Sequence, residues 1–284
     1  MFGYMAQGRR RGGAPPAVEY LNDLSPAPVV AWSLRRVISG ASLSIRVRRS
    51  SDNAQQDIGF SGDELDVSSL LSFAGAGNAF IVQFYDQTGG GIHLAQSTAA
   101  RQPRIVNAGS YDGSAVFSSS ELIAPSVTMG TPYLGLHMKA AQANQSAICI
   151  MAESSSSWSS FDGSFVWFML DDLHQFGTRG NTDYFRRFST ASITSLSVIS
   201  LVGQMAVADG TTPYQRMWVN GSSISPVSSS GTPSTPPQNF SSLNIHIGAR
   251  SGVGFPAPVR LHTLAIYNAD TTSSRAAIEG LIEG

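Results

Sequence analysis

The chain has 284 residues, a formal net charge of −1 and 13% charged residues, and this length allows one large β domain or two smaller ones. Its single cysteine, Cys149, excludes an internal disulfide framework and a cysteine-rich zinc site. No run of about 18 apolar residues is present, and no apolar stretch follows the N-terminal arginines as it would in a secretory signal. We therefore expect no membrane span, and synthesis in a reducing cytoplasm without a secretion signal.

Residues 1–31 differ in composition from the rest of the chain. No apolar period is visible there, so the segment cannot form a core of its own. We predict an extended docking arm over residues 1–31 that folds against a neighbouring protein, with a disordered tail as the alternative. Three arginines are too few to indicate a specific nucleic-acid partner. The basic and proline residues assigned to this assembly arm are Arg9, Arg10, Arg11, Pro15 and Pro16.

The stretch from Trp32 to Val106 shows the clearest strand signals. Ile45 and Val47 alternate with arginines, which is the period of a half-buried strand, and a second strand is expected around residues 81–85. Leu65 to Phe73 predicts a short helix, and the three glycines at 89–91 predict a turn. The arginines of this stretch are followed by five acidic residues, so we expect local ion pairs, with a basic patch facing a partner as the alternative.

The C-terminal half predicts further strands and one terminal helix. Residues 217–222 indicate a strand, an Asn-Gly turn and a second strand. Residues 227–239, rich in Ser, Pro and Thr, predict an exposed loop, and 272–283 predict a short helix. Alternation or clustering beside turn signals assigns six residues to the core: Leu243, Ile245, Ile247, Leu261, Leu264 and Ile266.

Three blocks of this sequence resemble a known module. They are residues 46–60 (RVRRSSDNAQQDIGF), residues 85–89 (YDQTG) and residues 102–106 (QPRIV). In that order they resemble a module of bacteriophage virion proteins, which implies a concanavalin-like (laminin-G-like) jelly roll. Residues 85–94 are also similar to the start of the catalytic domain of B-type fungal arabinofuranosidases, which implies a glycoside hydrolase as an alternative.

No catalytic or cofactor motif is visible in the sequence. The five histidines are scattered, none at a paired-ligand spacing, so we expect no metal site and no cofactor. The similar arabinofuranosidases carry adjacent cysteines in their pocket, whereas this chain has only Cys149. Their nucleophilic glutamate cannot be placed, because Glu121 and Glu153 lack the surrounding pattern. We therefore expect that the chain is not an enzyme and has no catalytic residues.

Sugar binding without hydrolysis is the more plausible chemistry. Jelly-roll modules use loop aromatic side chains as stacking platforms, and carboxylates or amides as hydrogen-bond partners. Packing in the core or loops is the alternative role for the two aromatic side chains concerned. The residues predicted to bind carbohydrate are Tyr85, Asp86, Gln87, His93 and Trp158.

The sequence therefore predicts an all-β fold. We expect a concanavalin-like jelly-roll sandwich of two antiparallel sheets with short helices over residues 32–284, preceded by the extended arm. The resemblance to the virion module implies the function of a phage virion structural protein, such as a head fibre, decoration or tail-fibre component. Its expected partners are other virion proteins bound through the arm, further copies of itself, and a glycan of the host surface. A carbohydrate-binding receptor module and a glycoside hydrolase are the alternatives.

Overall fold

Antiparallel strands are the main secondary structure of the described part of the chain. A computed structural model describes residues 19–142, 147–153, 163–170, 173–189, 193–205, 215–232, 238–249 and 258–284. The helices are the 3₁₀ helices Leu21–Asp23 and Ala99–Arg101, α1 (Val67–Ala74) and α2 (Arg275–Glu283). The strands are β1 (Val30–Ser33), β2 (Leu43–Arg49), β3 (Gln55–Ser61), β4 (Glu64–Leu65), β5 (Ala79–Phe84), β6 (Leu94–Ala95), β7 (Arg104–Asn107), β8 (Ser110–Val116), β9 (Leu122–Val127), β10 (Tyr133–Gln142), β11 (Ala147–Glu153), β12 (Ser164–Leu170), β13 (Leu173–Arg179), β14 (Asp183–Phe188), β15 (Ile193–Gln204), β16 (Gln215–Val219), β17 (Ser222–Ile224), β18 (Pro226–Gly231), β19 (Leu243–Ile247) and β20 (Val259–Tyr267).

The strands form two layers, as the sequence predicts for a β-sandwich. The short sheet has the order β17-β16-β15-β10-β20, and β1 and β8 share the outer edge of β20. The long sheet has the order β18-β14-β13-β12-β11-β19-β9-β6-β5-β2-β3. Strands β7 and β8 connect the two sheets, because β7 pairs with β5 and β8 pairs with β20. The all-β sandwich expected from the sequence is confirmed.

The main core lies between the two sheets and follows the period-2 alternation of the sequence. One continuous cluster of buried side chains includes Leu136 of the short sheet and Ile245 of the long sheet. Five of the six predicted core residues are confirmed, each at most 1% exposed: Ile245, Ile247, Leu261, Leu264 and Ile266. The side chain of the sixth, Leu243, lies outside the described residues.

Helix α2 covers the outer face of the short sheet above a buried polar network. The ring of fully buried His137 bonds Ser200 Oγ through Nδ1 and Thr271 Oγ1 through Nε2, each at 2.8 Å. Ser200 in turn donates to Glu279 of α2 at 2.7 Å, and Arg275 pairs with the other oxygen of Glu279. A second apolar cluster surrounds this network and includes Ile278 and Ile282 of α2. The helix is therefore fixed to the sheet by both apolar contacts and buried hydrogen bonds.

Residues 19–31 pack onto the sandwich. Leu21 is fully buried in the cluster beneath α2, and its backbone N–H donates to the carbonyl of Val37 at 2.8 Å. Val30 and Ala31 belong to β1 and are also fully buried. The predicted boundary at residue 31 between arm and domain stays a prediction. The arm residues Arg9, Arg10, Arg11, Pro15 and Pro16 lie outside the described residues.

One predicted loop is wrong in its first part. Pro226–Gly231 forms β18, an edge strand paired with β14, although 227–239 were expected to be a loop. Every residue of β18 is exposed or partly exposed, so its composition carries no alternation, and pairing with β14 alone defines the strand. The predicted hairpin is confirmed: Asn220 and Gly221 both have positive φ between β16 and β17. Helices α1 and α2 are confirmed within a few residues of their expected bounds.

Candidate functional site

The loop after β5 is organised by the carboxylate of Asp86. Its Oδ1 accepts hydrogen bonds from the Thr88 backbone N–H at 2.9 Å and from Thr88 Oγ1 at 2.8 Å, while Oδ2 accepts from the Ile92 N–H at 3.3 Å. A Cβ added to Gly90 would lie 3.1 Å from Asp86 Oδ2, so the close turn depends on that glycine. Asp86 is only 7% exposed, and its carboxylate shapes the loop rather than reaching solvent.

Gln87 joins this loop to the segment that follows β1. Its Nε2 donates to the carbonyls of Ser33 and Arg35 at 2.9 and 2.8 Å, and its Oε1 accepts from the Val37 N–H at 2.9 Å. Gln87 is 5% exposed, and these three bonds use most of the bonding capacity of its amide. Its side chain therefore holds two loops together.

Tyr85 is fixed on two sides. Its hydroxyl donates to Asp57 Oδ1 at 2.7 Å, and Asp57 forms a two-bond ion pair with Arg46. The ring of His93 meets the Tyr85 ring edge-on, with 5.1 Å between centroids, and His93 Nδ1 accepts from the Asp86 N–H. Burial, followed by the bond to Asp57, raises the pKa of Tyr85 to about 12, so the phenol stays protonated and remains a donor. Hydrogen bonding to Arg46 holds the pKa of Asp57 below its usual value.

These side chains line one cavity, which we name the Tyr85 cavity. Its volume is about 690 Å³, and it lies between the loop after β5 and the segment leading into β2. Tyr85 and His93 lie on one side, and exposed Ser39, Ser42 and Leu43 lie on the other. Within the described part of the chain, His93 Nε2 has no hydrogen-bond partner. Part-exposed aromatic rings, an imidazole nitrogen and serine hydroxyls are thus the groups that a ligand meets.

Four of the five residues predicted to bind carbohydrate lie around this cavity. Tyr85, Asp86, Gln87 and His93 all line it, whereas Trp158 lies outside the described residues. The structure gives Asp86 and Gln87 a second role that the sequence did not indicate, since their polar atoms already bond the surrounding loops. Their role as sugar ligands stays a prediction, and Tyr85 and His93 are the better placed of the four.

The arginines of the N-terminal half form local ion pairs, as expected. Arg35 pairs with Glu64, Arg36 with Asp63, Arg46 with Asp57, and Arg49 with Asp52. Arg48 instead donates to the side chains of Gln102 and Asn53 and covers the Phe80 ring, with 5.0 Å between its guanidinium carbon and the ring centroid. Because each of these cations has a local partner, the alternative of an uncompensated basic patch is not favoured.

A buried acid–histidine pair lies on the outer face of the long sheet. Glu121, just before β9, is fully buried, and its Oε1 lies 2.8 Å from Nδ1 of His246 on β19. Glu121 Oε2 is buried without a hydrogen-bond partner in the described structure. This contact was not predicted from the sequence. No local signal connects positions 125 residues apart, although the alternation of β19 does place His246 on the polar face.

Within the described residues, no three His, Cys, Asp or Glu side chains come together in an arrangement that could hold a metal ion. In the same part of the chain, none of the helices combines the length and the apolar character needed to cross a bilayer. The side chains of Cys149 and Glu153, and both Asp171 and Asp172, lie outside the described residues.

Comparison with known proteins identifies the fold. No family model and no curated protein match the sequence. A GH54 α-L-arabinofuranosidase mutant soaked with 4-nitrophenyl α-L-arabinofuranoside matches with a TM-score of 0.62 and 15% identity, over 90% of this chain. An arabinofuranosidase complexed with arabinofuranosyl-α-1,2-xylobiose matches with a TM-score of 0.61 and 16% identity, also over 90%. A carbohydrate-binding module (CBM40) of a Ruminococcus gnavus sialidase matches 55% of the chain and 83% of its own length, with 13% identity and a TM-score of 0.37.

These similarities correct one expectation of the sequence analysis. The prediction that the chain is not an enzyme is contradicted, because three solved structures that are similar to it over 90% of its length are arabinofuranosidases. That prediction was based on the absence of an adjacent cysteine pair and of a recognisable nucleophilic glutamate. These are features of one pocket, whereas the structural similarity covers both sheets. The chain spans 62% of the length of those arabinofuranosidases. Its fold is therefore the β-sandwich that they contain.

Proposed function

We propose that the chain is a carbohydrate-binding β-sandwich that holds a neutral sugar in the Tyr85 cavity. The main observation is the part-exposed Tyr85 ring, fixed between Asp57 and His93 beside a cavity of about 690 Å³. Pockets for small ligands commonly measure about 300–1,000 Å³ and combine apolar surface with a few polar groups. A fixed ring offers a stacking surface at little cost in side-chain entropy.

The charges around the cavity favour an uncharged ligand. Asp57 is paired with Arg46, and Asp86 accepts several hydrogen bonds from its own loop. A strongly anionic or cationic ligand would find no unpaired countercharge among the described lining residues. Sugar hydroxyls need only donors and acceptors, which His93 and the serines on the opposite side supply.

Titration of the protein with methyl α-L-arabinofuranoside, followed by NMR or calorimetry, tests this proposal. Replacing Tyr85 by Ala removes the stacking surface and should weaken binding at least tenfold, or about 1.4 kcal/mol. Tyr85→Phe keeps the ring and should bind within a few-fold of wild type. Tyr133→Ala, on β10 away from the cavity, is the matched control. If the folded wild-type protein gives no saturable response up to the solubility limit of this sugar and of the corresponding xyloside, the proposal fails.

Hydrolysis of arabinofuranosides is the second candidate function, and the shared fold favours it. Retaining glycosidases use two carboxyl groups about 5 Å apart. One candidate carboxyl group is that of Glu121, just before β9. The other is that of Glu153, the last residue of β11. Glu153 pairs with Asn244 of β19, and Asn244 lies two residues before His246. We expect 4-nitrophenol release from 4-nitrophenyl α-L-arabinofuranoside that is lost in either Glu121→Gln or Glu153→Gln. Turnover that is absent in wild type, or unchanged in both variants, removes this candidate.

Display on a phage particle stays a proposal supported by the sequence resemblance alone. In that setting the arm would join the sandwich to other virion proteins, copies of the chain would associate, and the Tyr85 cavity would face a glycan of the host surface. Because residues 19–31 pack onto the sandwich, the deletion that tests anchoring is Δ1–18. A Δ1–18 protein that still enters particles at the wild-type level would disprove anchoring through residues 1–18.

A further inference from the structure

A single register row crosses the outer face of the long sheet, and we name it the polar row. Arg46 is opposite Asp57 on β3 and Gln83 on β5, Gln83 is opposite Ala95, and Ala95 is opposite Ile123, which in turn is opposite His246. In order across six strands, the polar row consists of Asp57, Arg46, Gln83, Ala95, Ile123 and His246.

The polar row faces away from the main core. Its neighbours along each strand are buried in that core, for example Ile45 beside Arg46, Leu94 beside Ala95, and Ile245 beside His246. Since successive side chains of a strand point to opposite faces, the row lies on the outer face. Tyr85 follows Gln83 by two residues, so the Tyr85 cavity lies beside the Gln83 position of the polar row.

Most of the polar row is accessible and carries no net charge. Ala95 is exposed, and Gln83 and Ile123 are partly exposed. The side chains of Arg46 and Asp57 are 41% and 35% exposed, and their charges cancel in an ion pair. A nucleic acid would require unpaired cations along such a surface, which the described row does not offer. The mixture of an amide, a small apolar side chain and a compensated ion pair matches an uncharged, hydroxyl-rich polymer.

The accessible part of the row ends at the Glu121–His246 pair. His246 is 6% exposed, and Glu121 is not exposed at all. Glu121 Oε1 bonds Nδ1 of His246, so Nε2 is the ring nitrogen that is left for a ligand hydroxyl, which can both donate and accept. The second carboxylate oxygen of Glu121 has no partner in the described structure, which is costly for a buried group that only stabilises the fold. A carboxylate behind a histidine is the arrangement that orients an imidazole toward a ligand.

The part of the polar row from Gln83, beside the Tyr85 cavity, to His246 indicates the size of the ligand. Neighbouring strands lie about 4.8 Å apart, so the three steps from Gln83 to His246 cover about 14 Å. This distance exceeds one sugar ring but matches a short chain of rings. Building on the proposed sugar site, we propose that the natural ligand is a linear, uncharged oligosaccharide that lies across the strands along the polar row. One end occupies the Tyr85 cavity, and the other places a hydroxyl at Nε2 of His246, which Glu121 orients.

Affinity measured against chain length tests the polar row separately from the Tyr85 cavity. The probes are arabinose and xylose, and the linear arabino- and xylo-oligosaccharides of two to six residues. We expect wild-type affinity to rise at least tenfold from the monosaccharide to the oligomer that spans the row, and then to level off. His246→Gln and Glu121→Gln should each lose at least fivefold in affinity for the longer oligomers, and His246→Gln should leave monosaccharide binding unchanged. His262→Gln, which alters a histidine on β20 of the other sheet, is the matched control.

The result distinguishes a failure of the polar-row proposal from a failure of the Tyr85 cavity proposal. If monosaccharides bind through Tyr85 but affinity does not grow with length, the polar row is not a binding surface and the cavity proposal stands. If no sugar of any length binds, both proposals fall. Should either variant unfold, the C2 proton resonance of His246 in the wild-type protein decides: it must shift with the longer oligomers and not with the monosaccharides. An unshifted His246 resonance overturns the inference.

Discussion

Acidification should destabilise this protein at a higher pH than the one at which its carboxylates take up protons, because the folded protein buries neutral histidines. His137 and His174 are both fully buried, and burial lowers their pKa values to about 3 and about 4. Burial, followed by the charges of Lys139 and Arg35, also lowers the pKa of His262 to about 4. The ordinary pKa of histidine is about 6.5. Below pH 6.5 the unfolded chain therefore takes up protons that the folded chain does not accept, so the free energy of unfolding falls as the pH falls.

The magnitude follows from these pKa values. Each histidine should cost about 1.4 kcal/mol per pH unit between pH 6.5 and its folded-state pKa. At pH 4.5 the three histidines together should remove about 8 kcal/mol, a large part of the 5–15 kcal/mol that typical domains possess. Asp52, Asp57 and Asp66, whose pKa values are lowered, act in the same direction only at lower pH. The window from pH 6.5 to 4.5 thus reports mainly the histidines.

Urea unfolding at pH 7.0, 6.0, 5.0 and 4.5 measures this dependence, and one variant isolates its source. Both ring nitrogens of His174 lack hydrogen-bond partners in the described structure, and the ring stacks on Trp167 with 5.7 Å between centroids. His174→Phe retains an aromatic ring there, so it should stay folded at pH 7 and lose about a third of the pH dependence. A free energy of unfolding that is flat from pH 7.0 to 5.0, or an unchanged slope in His174→Phe, would refute the reasoning.

Three further predictions concern stability. Ile245→Ala opens a cavity in the main core and should cost about 2–5 kcal/mol in chemical denaturation, so a neutral result would contradict the register of β19. Glu279→Ala leaves Ser200 and Arg275 without their partner beneath α2 and should cost about 2–4 kcal/mol, with Glu283→Ala, at the end of the same helix, as the exposed control. Deletion of residues 1–18 should change the melting temperature by only a few degrees, whereas deletion of 1–31 also removes buried Leu21 and half of β1 and should lower it clearly more.

The parts of the fold that the sequence predicts well are those where burial alternates. Strands β19 and β20 show their register directly, because each core position is apolar and most of the positions between are polar or charged. Strand β18 could not be found this way, since both of its faces are accessible and its identity depends on pairing with β14. Local composition predicts a loop wherever neither face of a strand is buried.

The contacts of the candidate site also fall into two groups, those that the sequence predicts and those that it does not. The glycine turn and the Tyr85–His93 cluster are local in sequence, so their proximity could be predicted from residues 85–93. The use of Asp86 and Gln87 as loop anchors could not, because their partners lie on β1 and the segment after it, at least 50 residues away. The Glu121–His246 contact joins two strands that become neighbours only in the folded sheet. Pairs of this kind carry no signal in one sequence.

The pairing of β1 with β20 has a consequence for how the protein is made. Val30 is opposite Ile266, so the edge of the short sheet closes only when residues more than 230 positions apart meet. Strand β20 must therefore leave the ribosome before β1 can pair with it. Trp32, which is fully buried in the folded protein, stays exposed until then. Closing such distant contacts slows folding and lengthens the time in which unpaired strand edges can aggregate. Yield on overexpression should therefore depend on temperature and chaperone supply more strongly than the stability of the finished sandwich would imply.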